Sequence, residues 1–199
     1  MIEEDVMAQA QKIEQPVFKV DGKKLDLGCG NKKIERAFGV DYIKTGCTDF
    51  VWNLEKTLPK KFWNSYDLVY SSSVLDYIGN PLQFLQNCIK YAKPNGFVQV
   101  VVDNADYWRY HKKGRPFGNY HSLLWFKHSP NYWDQHKMMF QPSHIEIMFK
   151  MLGLKIVKKE LFWRQSIDFL FPKHMGTAYF SIVGENRHNT AKKGVEKNE

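Results

Sequence analysis

Two hydrophobic periods alternate along the chain. Lys23–Leu27 (KKLDL), Phe38–Ile43 (FGVDYI), Tyr66–Ser71 (YDLVYS) and Phe97–Val102 (FVQVVV) are short apolar runs with strand character, and Cys47–Val51 is a weaker one. The Phe97–Val102 run is apolar almost throughout, as a strand buried on both faces requires. Before it the period changes. Asn80 suits an N-cap, Pro81 the first helical position, and Leu82, Leu85, Cys88/Ile89 and Ala92 form one apolar stripe. Pro94-Asn95-Gly96 then predicts a turn into the next strand. Strands separated by a helix, without hairpin signals, predict an α/β fold with a parallel sheet.

The two ends of the chain extend this pattern. Ile2, Val6, Ala10 and Ile13 stand at helical spacing, with Pro16 closing the helix. Ser143-x-x-Glu146 reads as a capping box for a helix carrying Ile145, Met148, Phe149 and Leu152, which Gly153 ends. Leu154–Phe162 and Thr177–Gly184 follow as strands with no helix pattern between them, so an antiparallel pair is expected. Residues 1–184 are expected to form one domain, with 104–140 as an inserted aromatic and basic segment and 185–199 as a disordered polar tail.

Composition narrows the class. At 199 residues, 43% hydrophobic and 15% aromatic, the chain can bury a sizeable core. No apolar run approaches the ~18 residues of a membrane span, and the acidic MIEEDVMAQAQ start lacks the order of a secretory leader. Cys29, Cys47 and Cys88 are far apart, which fits reduced thiols in a cytoplasmic compartment and no zinc site. The formal charge of +8 is uneven: Asn104–Phe140 holds six Lys/Arg against two Asp, with four of the seven histidines and ten aromatics in 37 residues.

The chemistry starts at Gly28-Cys29-Gly30, directly after the first strand. Two glycines let the backbone bend sharply and approach a ligand, although such a turn alone is equally a plain tight bend. A dinucleotide fingerprint fails here: Lys33 stands where its third glycine belongs, and Asp41 comes too early. The eight residues between Gly30 and Gly39 also leave little room for a full crossover helix. Other strand ends agree with a ligand. Asp41 with Tyr42, Asn53 with Leu54, and the Ser71–Ser72 pair bring polar or small residues to the same rim of the sheet, where open α/β sheets bind ligands.

On KKLDLGCGNKK (Lys23–Lys33), GVD (Gly39–Asp41), WNLEKTLP (Trp52–Pro59), YDLVYSSSVLDYI (Tyr66–Ile78) and KPNGFVQVVV (Lys93–Val102), in that order, the chain resembles the class I S-adenosylmethionine-dependent methyltransferases, type 11 group. A looser likeness runs over His136–Val157. The resemblance implies a Rossmann-like, seven-stranded, mostly parallel sheet with an antiparallel last strand and helices on both faces. It also implies S-adenosylmethionine as cofactor. Asp26, Gly28, Cys29 and Gly30 would line its methionine and ribose, Asp41 would hold the ribose hydroxyls, Tyr42, Asn53 and Leu54 would border the adenine, and Ser71 and Ser72 would stand near the sulfonium. The chain departs from the family pattern at Lys32, which replaces a third glycine, and at Ser73-Val74-Leu75-Asp76-Tyr77, which replaces a common His-x-x-Glu-His. The first crossover helix is accordingly expected to be stunted or replaced by loop.

Methyl transfer needs alignment more than it needs a base. Asp103 and His136 are the candidate bases, each set against a structural or surface role. Tyr107, Trp108, Arg109 and Trp133 are the candidate substrate contacts, set against a second small core with a solvated basic face. The acceptor read from this pattern is a small molecule or anionic metabolite with an O or N nucleophile. The alternative is a basic RNA-binding module or RNA methyltransferase on the same fold, although the base-amino tetrapeptide and the Pro-Cys nucleophile of base methylation are both missing. No membrane partner and no metal are expected, and the sequence leaves the oligomeric state open.

Overall fold

A computed structural model of the chain describes residues 17–106, 137–163 and 177–187. The elements are β1 (Lys24–Leu27), β2 (Ala37–Asp41), β3 (Phe50–Val51), β4 (Tyr66–Ser72), α1 (Pro81–Tyr91), β5 (Ala92–Asp103), α2 (Pro142–Met151), β6 (Leu154–Trp163) and β7 (Thr177–Asn186). All seven strands form one sheet in the order β3-β2-β1-β4-β5-β7-β6. Neighbours from β3 to β5 are parallel, whereas β7 runs antiparallel to both β5 and β6. The late strand pair therefore inserts its second member next to β5, leaving β6 at the edge.

Local chemistry explains most boundaries. The Asn80 side chain accepts the Gln83 N–H at 3.0 Å and Pro81 opens α1, as the sequence predicts. β2 stops at Asp41, short of Ile43, because Tyr42 and Ile43 turn out to solvent. β5 begins at Ala92, so Pro94-Asn95-Gly96 is an irregularity inside a strand and not a turn before one. Asn95 adopts φ 63° and the β4–β5 register slips between Tyr66 and Leu68.

The start of α2 also differs from expectation. Pro142 pre-sets helical φ, so the cap falls on Gln141, whose N–H donates to His144 Nδ1 at 3.3 Å. Ser143 is inside the helix, and Glu146 instead pairs with Lys159 at 3.0 Å. β7 runs to Asn186, two residues past Gly184. There the Asn186 amide donates to the Ala92 and Lys93 carbonyls where α1 hands over to β5. The expected helix over residues 1–16, most of the 104–140 segment and nearly all of the tail lie outside the described residues.

Packing follows strand alternation. Leu25, Leu27, Val69, Val98, Val100, Phe180 and Ile182 face Phe84, Leu85 and Cys88 of α1 and Ile145 and Phe149 of α2. Each fully buried side chain of this kind contributes about 1.5–3 kcal/mol. Both described helices thus cover the same face. The other face, with Leu68, Tyr70 and Val101, is packed among the described residues by Val17, Phe18, Val20 and Ile34. Gln99 lies on that side and is fully committed, accepting from Phe18 N–H and donating to Ser181 Oγ, each at 2.8 Å. None of residues 28–36 is helical, as the short first crossover predicts.

Candidate functional site

The crossover loop stays in place without a helix because two carboxylates bind its backbone. Asp26 Oδ2 accepts the Ile34 N–H at 2.8 Å, and Asp41 Oδ2 accepts the Gly30 N–H at 2.8 Å. Asp41 Oδ1 also accepts the Ile43 N–H at 3.0 Å, so one side chain fixes the turns after both β1 and β2. Asp26 is almost completely buried. Burial, with the nearby charge of Asp41, pushes its carboxyl up to about 6, and the Ile34 amide offsets part of this.

Above these loops opens a cavity of about 440 Å³, walled by Gly28, Asp41, Tyr42, Ile43, the Asn53–Glu55 stretch, Ser73, Val74, Tyr77 and Ile78. It lies beyond the carboxyl ends of β1 and β2, beside the short 3-10 turn Leu75–Tyr77 that follows β4. Gly28 is required at its floor: φ is +78°, and a Cβ there would stand 2.1 Å from Val74 Cγ2. The walls are chemically mixed. Tyr42 presents an exposed ring, and Leu54 and Val74 are apolar. Asn53 accepts the Glu55 N–H through Oδ1, which leaves its amide N–H groups as donors. The volume suits a nucleoside-sized ligand.

Of the expected ligand contacts, Gly28, Asp41, Tyr42, Asn53 and Leu54 line this cavity. Gly30, at φ 50°, stands one hydrogen bond behind it through Asp41. Asp26, Cys29, Ser71 and Ser72 are not on its wall. Asp26 is committed to Ile34, and Cys29 is buried with Sγ turned toward the Cys47 carbonyl and Thr48 Oγ1. Ser71 is buried beneath the end of β4 with no hydrogen-bond partner for its hydroxyl. The sequence reading missed Ile43, Glu55, Ser73, Val74, Tyr77 and Ile78. Five of these stand in motifs quoted above, yet only the folded loops after the strands decide which of their side chains face the cavity.

A second feature lies behind that turn. Asp76 is 0% exposed, and neither carboxylate oxygen has a hydrogen-bond partner within bonding geometry. Burial first, and the charge of Asp103 at the end of β5 second, hold this carboxyl well above its ordinary range, against a smaller opposing effect of the Asp76 and Asp103 amides. The candidate base Asp103, itself only partly buried, therefore stands beside a buried carboxyl. The Asp76 carbonyl accepts the N–H groups of Lys137 and Met138 at 2.7 and 3.2 Å. Glu55 closes the same corner, accepting from Lys137 Nζ at 2.7 Å and from the Gly79 N–H at 3.0 Å. His136, Tyr107, Trp108, Arg109 and Trp133 lie outside the described residues.

Among the described residues no three His, Cys, Asp or Glu side chains gather as a metal site. None of their helices is long and apolar enough to cross a membrane. Several solved structures share the fold. A methyltransferase complexed with the Trm112 methyltransferase activator of Haloferax volcanii is 21% identical, with a TM-score of 0.56 over 94% of this chain and 89% of that one. An S-adenosylmethionine-dependent methyltransferase from Mesorhizobium loti is 16% identical, with a TM-score of 0.61 over 93% and 98%. A Burkholderia thailandensis 1,6-didemethyltoxoflavin N1-methyltransferase, solved with that compound and S-adenosylhomocysteine, is 12% identical, with a TM-score of 0.54 over 82% and 70%. Curated protein sequences give no match. The family model described as a methyltransferase domain matches residues 4–159, and the chain belongs to that family, the S-adenosylmethionine-dependent methyltransferases of class I.

Proposed function

We propose that the cavity beside Gly28 and Asp41 holds S-adenosylmethionine and that the enzyme methylates an O or N nucleophile of a small-molecule or anionic metabolite. The observation that carries this is the Gly28–Val74 contact at the floor of a nucleoside-sized cavity, with a carboxylate on one wall and amide donors on another. The cofactor supplies a methyl group already activated by a sulfonium. Asp41 keeps lone pairs free of its two backbone bonds for a ribose diol, Tyr42 and Leu54 would border the adenine, and the Asn53 amide would meet its edge. Asp26 and Gly30 act behind them by holding the crossover loop.

Catalysis on this reading is alignment plus exclusion of water, with Asp103 as the candidate proton acceptor and Asp76 beside it. His136 keeps its place as the second candidate. The 104–140 segment, with Tyr107, Trp108, Arg109 and Trp133, is our candidate acceptor platform within a single domain. The three free cysteines support a cytoplasmic location. A second reading, an RNA acceptor, draws on the local basic charge of that segment. Calorimetric titration with S-adenosylmethionine, with NAD alongside, tests the cofactor site. A panel of amine, hydroxyl and carboxylate acceptors, scored by S-adenosylhomocysteine formation, then tests the acceptor class. Preference for NAD, or turnover with RNA alone, would overturn the corresponding half.

A further inference from the structure

The opposite end of the sheet carries a hollow that methyl transfer does not use. It has a volume of about 500 Å³ and is bordered by Lys23, Lys24, Lys33, Arg36, Asp49 and Tyr66. Lys23 and Lys24 stand at the start of β1, Arg36 just before β2, and Tyr66 at the start of β4. The hollow therefore sits at the amino ends of three adjacent parallel strands, a strand length of about 13 Å from the cofactor rim.

Its charge is one-sided. Four cations meet one carboxylate, and that carboxylate is already committed: Asp49 accepts from Lys33 Nζ at 2.5 Å and from the Gly39 N–H at 2.7 Å. These bonds hold Asp49 below its ordinary range, so it stays ionised and locked to Lys33. The neighbouring Asp67 is likewise spent, on Lys93 and on the Lys23 backbone N–H. Among the described residues no carboxylate stands within ion-pair distance of Lys23 or Lys24. Among the described residues Arg36 pairs with its sequence neighbour Glu35 alone, with both side chains about 85% exposed. Such a pair contributes little in water. Arg36 also adopts φ 58°, a left-handed conformation unusual for an arginine, at the lip of the hollow.

We propose that this hollow is an anion site for a compact chain of phosphate groups, such as an inorganic polyphosphate or a nucleoside polyphosphate. Cations that converge on a concavity focus the field on one small ligand, and Arg with Lys is the pairing that suits phosphate oxygens. An acidic protein partner would need an apolar anchor, and the apolar walls here, Ala37, Phe38 and Tyr66, are already packed into the sheet. An extended nucleic acid would favour a long basic stripe over cations gathered around one hollow.

The test is titration of the full chain with inorganic tripolyphosphate and with ATP at low salt, repeated for Lys23→Glu/Arg36→Glu and for Lys23→Gln/Arg36→Gln. Both residues are exposed, so the fold should survive, and retained melting temperature and S-adenosylmethionine affinity verify this. The expected result is binding that falls at least tenfold in the charge-reversed variant, by less in the neutral one, and steeply with added salt. Equal affinity in all three proteins would overturn the site. So would retention of a labelled single-stranded RNA with no binding of tripolyphosphate, which would replace the compact ligand with a nucleic-acid face.

Discussion

Val74 Cγ2 fills the space that a side chain on Gly28 would need. An ideal Cβ would stand 2.1 Å from it, and Gly28 is at φ +78°. Gly28→Ala therefore meets both a clash and a left-handed backbone, the latter alone costing about 1–2 kcal/mol. We expect a lower melting temperature and at least tenfold weaker S-adenosylmethionine binding by calorimetry. Gly28→Ala/Val74→Ala removes the clash but not the strain and should recover part of the stability. A single variant that binds like the wild type would move the cofactor out of this cavity.

Asp41 supports two backbone amides and is the proposed ribose ligand, so two substitutions separate these roles. Asp41→Asn retains one good acceptor oxygen and should preserve most of the loop while weakening the cofactor about tenfold. Asp41→Ala removes both acceptors. It should also lower stability by about 1–3 kcal/mol, the cost of orphaning amide groups. Denaturant melts paired with calorimetry distinguish a binding loss from a folding loss.

Asp26 makes stability depend on pH in a defined direction. Its carboxyl is raised from 3.8 to about 6, so the folded state binds this proton more tightly than the unfolded chain. The associated stabilisation is full below pH 4 and lost as pH rises through 6, a swing of about 3 kcal/mol at most. Asp26→Asn keeps an acceptor for the Ile34 N–H without the charge. Urea titrations from pH 4 to 7 should show a shallower slope for the variant and equal or higher stability at pH 7. Parallel slopes would mean Asp26 is hydrated.

Asp76 is held well above the ordinary carboxylate range, first by burial and then by the charge of Asp103, so its acid form should persist to higher pH than that of an exposed carboxyl. Infrared difference spectra between wild type and Asp76→Asn should reveal its protonated carbonyl stretch. The sign is that of Asp26: Asp76 favours folding at low pH and opposes it once ionised. Asp76→Asn should therefore be tolerated, whereas Asp76→Lys places an unsatisfied charge in the same space and should prevent folding. A carboxylate band in place of the acid band would remove this description of Asp76.

Lys137 and Glu55 close the corner between the cavity and the turn at Gly79, with the lysine side chain only 13% exposed. Glu55 is held below its ordinary range chiefly by Lys137, so this pair contributes above that range and fades on acidification. Lys137→Met should cost about 1 kcal/mol at neutral pH and progressively less on acidification, as measured by thermal melts across that range.

What the sequence determined by itself was whatever depends on near neighbours. Short apolar runs set β1, β2, β4 and β5, and Asn80-Pro81 set the start of α1. Gly28-Cys29-Gly30 marked the turn, and the short run to Gly39 left little room for a full crossover helix. Spacing within a few residues carries that information, because backbone sterics and capping bonds are local. Tertiary structure decided the rest. The Pro94 irregularity became part of a strand because β4 pairs across it. Cys29 turned inward toward Thr48, and Val74 and Tyr77 turned into the cavity where a 3-10 turn follows β4. The meeting of Asp76 with Asp103, of Glu55 with Lys137, and of Lys23 with Arg36 joins residues from 13 to 82 positions apart. No local pattern records such distances, since only the strand order of the folded sheet brings these side chains together.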